Sequence, residues 1–302
     1  MAEITASMVK ELRELTGAGM MDCKKALTEC DGDFEGAKDW LRQKGLAKAA
    51  GKADRAAKDG LIRIKRTDDR HGAMLLLSCE TDFVAQTDDF KGLVDDLADY
   101  IAAAELRGEL VGKPYAETIE DFRSLDVNGK PVSEMLLESV AKIGENIQLG
   151  GVVIERSEDP HDYLGEYMHG KRVGVLVCLS TGKPETQQNE KFLEAAKDVA
   201  MQIAAAVPTV PVAVDRSGVD PALVEKERVF LIDQAKEQGK SQEIAEKMVE
   251  GRLSKFFEEV CLLEQPYIKD DKAKVKDYLA EVGKELGDTI TVARFHRFQF
   301  GA

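Results

Sequence analysis

The chain has 302 residues, 42 of them Lys or Arg and 56 Asp or Glu, for a formal net charge of −14. The 43% apolar content is that of a folding globular sequence, and the length suits about two domains. The acidity argues against nucleic acid or an anionic membrane as main partner, since both need clustered positive charge. That charge is unevenly spread. Residues 1–60 hold 11 basic and 11 acidic side chains, so the whole −14 belongs to residues 61–302 and the N-terminal fifth is a compositionally separate unit. Five cysteines, Cys23, Cys30, Cys79, Cys178 and Cys261, form no CxxC pair and read as reduced thiols. The N-terminus has no secretory signature, and the longest apolar tract, Ile203 to Val214, is broken by Pro208 and Pro211. A soluble, cytoplasmic protein is expected.

Residues 4–45 predict three short helices. Thr5 caps the first, whose apolar positions are Met8, Val9, Leu12 and Leu15, and Gly17 stops it. The second runs from about Met21 to Cys30 with Met21, Ala26, Leu27 and Cys30 inward. After an Asp31-Gly32 turn, Asp33 caps a third, with Phe34, Ala37, Trp40 and Leu41 inward and Gly45 at its end. So small a unit needs Trp40 for its own core. Arg42, Lys44, Lys48, Lys52, Arg55 and Lys58 follow, with Asp54 as the one acid among them. They suit either a phosphate-binding arm or a solvated linker, and the lack of stacking aromatics favours the linker.

From Gly60 the period changes. Leu61 to Lys65 and Ala73 to Leu77 read as strands joined by a turn at Asp68 to Gly72, and a helix follows from Asp88 to Glu105. Residues 114–146 read as more helix and Gly150 to Arg156 as a strand. A second hairpin, Tyr163 to Met168 and Arg172 to Leu179, turns at His169-Gly170 and leads into a helix from Asn189 to Ala206. Sliding Phe90 to Ala104 by 102 residues onto Phe192 to Ala206 gives 7 identities in 15 positions. Each of these helices is preceded by a hairpin with an HG turn, so the segments read as a divergent internal repeat. The fold class is α+β, with two related subdomains of small antiparallel sheet and helix. Asp220 to Glu264 read as a protruding helical hairpin broken near Gly239 and Ser241, with Ile244, Met248, Phe256 and Val260 on its inner face. A helix from Asp271 to Leu286 and a β-rich tail from Thr291 to Phe300 end the chain, the tail completing the second sheet.

Chemistry-bearing motifs are few. There is no phosphate loop, no HExxH and no GxSxG elbow, and His71, His161, His169 and His296 are too scattered for a local metal cluster. Cys79 continues an apolar strand and reads as inert rather than as a thiolate partner of His71. What remains are contact surfaces. In Thr16-Gly17-Ala18-Gly19-Met20-Met21, Met20 falls outside the inner stripe and reads as a contact, while Met21 suits core and contact equally. Thr81-Asp82-Phe83-Val84 ends a strand. It either presents an anion beside a bulky hydrophobe or forms a helix cap with Phe83 in the core, and composition alone favours the second.

Five blocks then stand in one order: TGAGMMDCKKAL at Thr16 to Leu27, TDFVA at Thr81 to Ala85, AKIGENI at Ala141 to Ile147, HGKRVGVLV at His169 to Val177 and EIAEKMVEGR at Glu243 to Arg252. With them the chain resembles the bacterial translation elongation factor Ts family, the nucleotide exchange factors of elongation factor Tu, over nearly its whole length. The resemblance implies a ubiquitin-associated-like module at residues 1–55 docking on the nucleotide domain of Tu. It also implies core subdomains at 56–150 and 151–302 and a coiled-coil hairpin inserted at about 220–264. Tu, GDP-bound and nucleotide-free, is the implied partner, without catalytic residues, cofactor, metal, membrane or direct nucleic acid contact. A 2:2 assembly through the C-subdomain is left open. By the same similarity Thr81, Asp82, Phe83 and Val84 enter the region of the magnesium and switch elements of Tu, Phe83 as a wedge and Asp82 disturbing the metal. Met20, Met21, Ile143, Gly144, His169 and Gly170 match further Tu contacts. Gln86 departs from the basic residue many relatives carry after TDFVA, and the contact made by a C-terminal helical module in some relatives is not carried over.

Overall fold

The computed structural model describes residues 4–16, 18–103, 122–127, 129–237 and 242–300. The chain divides into two compact units, Met1–Lys65 with Ala73–Ile154 and Phe300–Ala302, and Arg66–Gly72 with Glu155–Gln299.

The first unit opens with α1 (Ala6–Thr16), α2 (Met20–Glu29) and α3 (Phe34–Ala50). The Thr5 hydroxyl accepts from Met8 N at 3.3 Å, and the Asp33 carboxylate accepts from the Glu35 and Gly36 amides, so both predicted caps are present. Val9, Leu12, Cys23, Ala26, Leu27 and Ala37 form the core, with Phe34, Trp40 and Leu41 half-buried at its edge. Three expectations are corrected. Leu15 and Met21 are exposed, because α2 turns Cys23, Ala26 and Leu27 inward and three short helices enclose no more. Trp40 is only half in the core and carries the Lys44 ammonium 4.6 Å above its ring. Finally, α3 runs past Gly45 to Ala50. A Cβ on Gly45 would sit 2.9 Å from the Ala141 Cβ, so this glycine permits close helix contact rather than ending a helix. The predicted stop at Gly17 lies outside the described residues.

The same unit contains β1 (Asp59–Arg66) up to Lys65, β2 (His71–Cys79) from Ala73, a helical turn α4 (Asp82–Ala85) and α5 (Asp88–Ala103). The sheet order is β1-β2-β5, with β5 at Gln148–Arg156. Of the helix expected over 114–146, the described residues show helix at 122–123 and α6 (Val132–Ile143), the latter preceded by a hairpin of the two-residue strands β3 (Asp126–Val127) and β4 (Lys130–Pro131). Pro131 has no amide hydrogen to continue a helix backwards and serves as the α6 N-cap residue. Residues 104–121 lie outside the described set, and with them the predicted end of α5 at Glu105. Leu75, Leu77, Phe90, Val94, Leu97 and Ile101 fill the core between sheet and helices.

The second unit repeats this plan. Strands β6 (Asp162–His169) and β7 (Val173–Thr181) pair antiparallel, α7 (Glu190–Ala205) follows, and β10 (Ile290–Gln299) pairs with β7 to give the order β10-β7-β6. Both ends of β2 and α5 shift by 102 residues onto those of β7 and α7. Each sheet has a hairpin and a third strand returning from far along the chain. Phe90 and Phe192, equivalent in the repeat, are both fully buried, Phe192 edge-on to Tyr163 at 5.2 Å.

Between the strands of the second unit, α8 (Pro221–Glu237) and α9 (Gln242–Val260) form the expected helical hairpin. Leu231, Val249 and Leu253, with Val224, Ile232 and Phe256, make an apolar seam drawn, among the described residues, from these two helices. Gly239, Ser241 and the side chains of Ile244 and Met248 lie outside the described set. The helix expected from Asp271 begins later, as α10 (Val275–Leu286), because Asp270–Lys274 forms β9 against β8 (Pro266–Tyr267). Among the described residues no helix is long and apolar enough to cross a membrane, and no acid, thiol and imidazole cluster could hold a metal.

Glu155 on β5 is buried in the second unit, where it accepts from Arg294 Nε at 2.8 Å and lies 2.6 Å from His296 Nε2. Burial alone would raise its carboxyl, but His296 and Arg294 outweigh it and hold the group below its ordinary range. A depressed carboxylate contributes stability that is present above its unfolded pKa and lost as pH falls through the folded value. Glu155→Gln should therefore lower the denaturation midpoint at about pH 7 and flatten its decline between roughly pH 5 and 3. Phe90→Ala and Phe192→Ala should each cost about 3–5 kcal/mol in urea unfolding, as full truncations in equivalent cores.

Candidate functional site

The Thr81 to Ala85 segment begins where β2 ends. The Thr81 hydroxyl caps α4 by accepting from Val84 N at 3.3 Å. Val84 and Ala85 turn into the core, whereas Asp82 and Phe83 point to solvent. Phe83 is 77% exposed. The cap half of the composition-based reading therefore holds and its core-Phe half is overturned. One helical turn has only one inward side, and Val84 and Ala85 occupy it. Val84 is thus an anchor of the turn rather than part of its outer face. Asp82 forms no ion pair among the described residues.

The turn is held from a distant segment. At the end of α6, Gly144 adopts φ +90°, a left-handed conformation that glycine reaches without strain. This turn brings Glu145 and Asn146 to residues 80–81. Glu145 Oε2 accepts from the backbone amides of Glu80 and Thr81 at 3.0 Å each, and its Oε1 accepts from the Thr81 hydroxyl at 2.6 Å. Asn146 N donates to Glu80 Oε1 at 2.7 Å. Of the residues expected here, Gly144 is exposed and shapes the bend, while Ile143 is half-buried against the core. Glu145 and Asn146 were not singled out from the sequence. The signal available was their position in AKIGENI, directly after a glycine able to end a helix.

The chain linking α3 to β1 joins the same network. Lys52 Nζ donates to the Gly144 carbonyl, Arg55 pairs with Glu80 at 3.5 Å, and the Asn146 amide donates to the carbonyls of Ala53 at 3.2 Å and Arg55 at 2.6 Å. Upstream, Arg42 pairs with Glu134 and Glu138, and Lys44 with Asp22. Four of the six cations in the 42–58 segment therefore have partners inside this unit, and the side chain of Lys48 lies outside the described set. Among the described residues, most of the cationic side chains of this segment are thus engaged within the unit.

Leu15, Met20 and Met21 are exposed together at the α1–α2 corner, Met21 at 78%. Beside them lies a cleft of about 890 Å³ lined in part by Leu15, Ala18, Leu41, Leu93 and Met135. In the second unit His169 and Gly170 are exposed at the β6–β7 turn, Gly170 with φ +59° and His169 stacked beside Tyr167.

Comparison with curated proteins and with family models now bears on these surfaces. A family described as Elongation factor TS matches residues 80–302. The chain is similar to Elongation factor Ts of Desulfovibrio desulfuricans, 44% identical over 304 residues and covering all of both chains. It is similar to that of Nitratidesulfovibrio vulgaris, 44% identical over 99% of this chain and 96% of the relative, and to that of Lawsonia intracellularis, 42% identical over 99% of each. The chain belongs to the elongation factor Ts family. Membership makes it a translation elongation factor.

Burial, and then the Glu145 charge, push Cys79 up to about 12, and burial pushes Cys178 to about 12 and Cys261 to about 11. These three are neutral and buried at neutral pH, while Cys30 is half-buried. Iodoacetamide at about pH 8 should label Cys30 in the native protein and reach Cys79, Cys178 and Cys261 only on unfolding, with mass mapping as the readout.

Proposed function

We propose that this chain promotes nucleotide exchange on elongation factor Tu by inserting the Asp82-Phe83 tip beside the magnesium and phosphate region of its GDP-bound partner. The carrying observation is an aromatic side chain 77% exposed on a turn whose neighbours Val84 and Ala85 are buried and whose backbone is held by Glu145. A loose hydrophobe in solvent would be pulled back to the core. This one is presented by a fixed backbone, so little ordering remains to be done on binding.

The thermodynamics set what the tip must accomplish. An exchange factor accelerates release only if it binds the nucleotide-free partner better than the loaded one, and by linkage GDP weakens factor binding to the same degree. A 10⁴-fold faster release needs about 5.5 kcal/mol at roughly 1.36 kcal/mol per decade, while burying one Phe contributes about 1.5–3 kcal/mol. Phe83 therefore acts with others. The Asp82 carboxylate penalises the loaded state, since like charge near a phosphate or near the acidic ligands of a metal raises its energy. The Leu15, Met20 and Met21 corner supplies adaptable apolar area for the nucleotide domain, and His169-Gly170 a second contact elsewhere on Tu.

Asp82→Ala and Phe83→Ala should each slow stimulated release of a fluorescent GDP from Tu by at least tenfold in stopped flow, with melting temperatures unchanged. For Phe83 that loss equals about 1.4 kcal/mol, within what truncating one partner-buried aromatic removes. Release at the wild-type rate in both variants would exclude the tip as the acting element.

A further inference from the structure

We infer that Glu145 is a positioning residue for exchange, acting through the Thr81 turn to keep Phe83 in the orientation the partner meets; this rests on the role proposed above for Phe83. The carboxylate has the geometry of a clamp. Its two oxygens take three donors, the amides of Glu80 and Thr81 at 3.0 Å each and the Thr81 hydroxyl at 2.6 Å. That same hydroxyl accepts from Val84 N and so caps the turn that carries Phe83. The carboxylate thus orients the capping oxygen as well as the backbone leading into it.

The reach of the clamp exceeds one turn. Asn146, adjacent to it and nearly fully buried, binds Glu80 Oε1 through its backbone and the carbonyls of Ala53 and Arg55 through its side chain. Residues 53–55 connect the N-terminal helices to the first sheet. The Glu145-Asn146 pair therefore sits where the mounting of the Met20-Met21 corner meets that of the Phe83 tip. Both surfaces are presented ready-made, and neither has to be ordered at the moment of binding.

A glutamine at 145 tests the charge and acceptor pattern at nearly constant volume. With its carbonyl at the Oε2 position a glutamine keeps both backbone amides, but its NH2 group then faces the Thr81 hydroxyl, which must turn from donating to accepting, and the charge that strengthens all three bonds is lost. In Glu145→Gln, amide hydrogen exchange at Glu80 and Thr81 should quicken. The maximal rate of stimulated GDP release should fall at least tenfold, while the concentration of factor giving half the maximal rate changes less than threefold, because the Met20-Met21 corner still forms the encounter complex. The triple variant E145Q/D82A/F83A should be no slower than D82A/F83A, since the clamp acts only through the tip that these two residues form. A role limited to overall stability would instead make the two losses multiply and track the melting temperature. Should E145Q fail to fold, Glu145→Asp, one methylene short of Thr81, is read by the same measures. If F83A slows release but the Glu145 variant releases at the wild-type rate, or the losses multiply, the clamp is overturned alone. If F83A itself releases normally, the Phe83 reading falls with it.

Discussion

A carboxylate facing two backbone amides and a hydroxyl is the interaction on which the candidate site depends. Glu145 and Thr81 are 64 residues apart in the chain, yet the three bonds between their segments close the end of β2 onto the end of α6. Hydrogen bonds to an ionised acceptor are stronger than neutral ones, and several sharing one carboxylate leave little freedom of orientation. The consequence is a short helical turn with a decided inside and outside. Val84 and Ala85 are inside, and Asp82 and Phe83 are outside.

The scaffold beneath that turn is used twice. In each unit a hairpin and the helix after it leave one sheet edge that the local chain cannot complete, and a strand from much farther along supplies it, β5 in the first and β10 in the second. What differs is the material inserted before that strand returns. The second unit spends it on a helical hairpin with its own apolar seam. The repeated helices have diverged as well. Asp198, buried in α7, accepts from Tyr267, Tyr278 and Lys269, whereas its counterpart Asp96 on α5 is exposed. A buried carboxylate is tolerable only with such donors, and the β8–β9 segment that supplies two of them is part of the second unit's insertion.

The mounting of the N-terminal helices depends on a missing side chain. With no Cβ at Gly45, α3 can approach α6 at Ala141, and Arg42 then reaches Glu134 and Glu138 on the same helix. Of the cations in this segment, Arg42 and Arg55 pair with acids later in the chain, Lys44 pairs with Asp22 on α2, and Lys52 binds the Gly144 carbonyl.

Periodicity and capping made most elements legible in the sequence. The helices of the N-terminal module, the two hairpins, the repeat at 102 residues and the paired helices after Asp220 all follow from local spacing, because each is built from contacts within a few residues of its own positions. The TDFV, AKIGENI and HG blocks marked the family. Local reasoning failed where distant residues compete for one interior. It placed Leu15, Met21 and Phe83 toward the core by pattern, and the three-dimensional packing filled those interiors with other side chains and left these outside. It read Gly45 as a stop because helix ends are local, whereas close helix approach is not. Glu145 and Asn146 carried no local mark of their role. Only the fold, by bending the chain at Gly144, brought them against Thr81, since a hydrogen bond across 64 residues exists only when two separately determined elements meet.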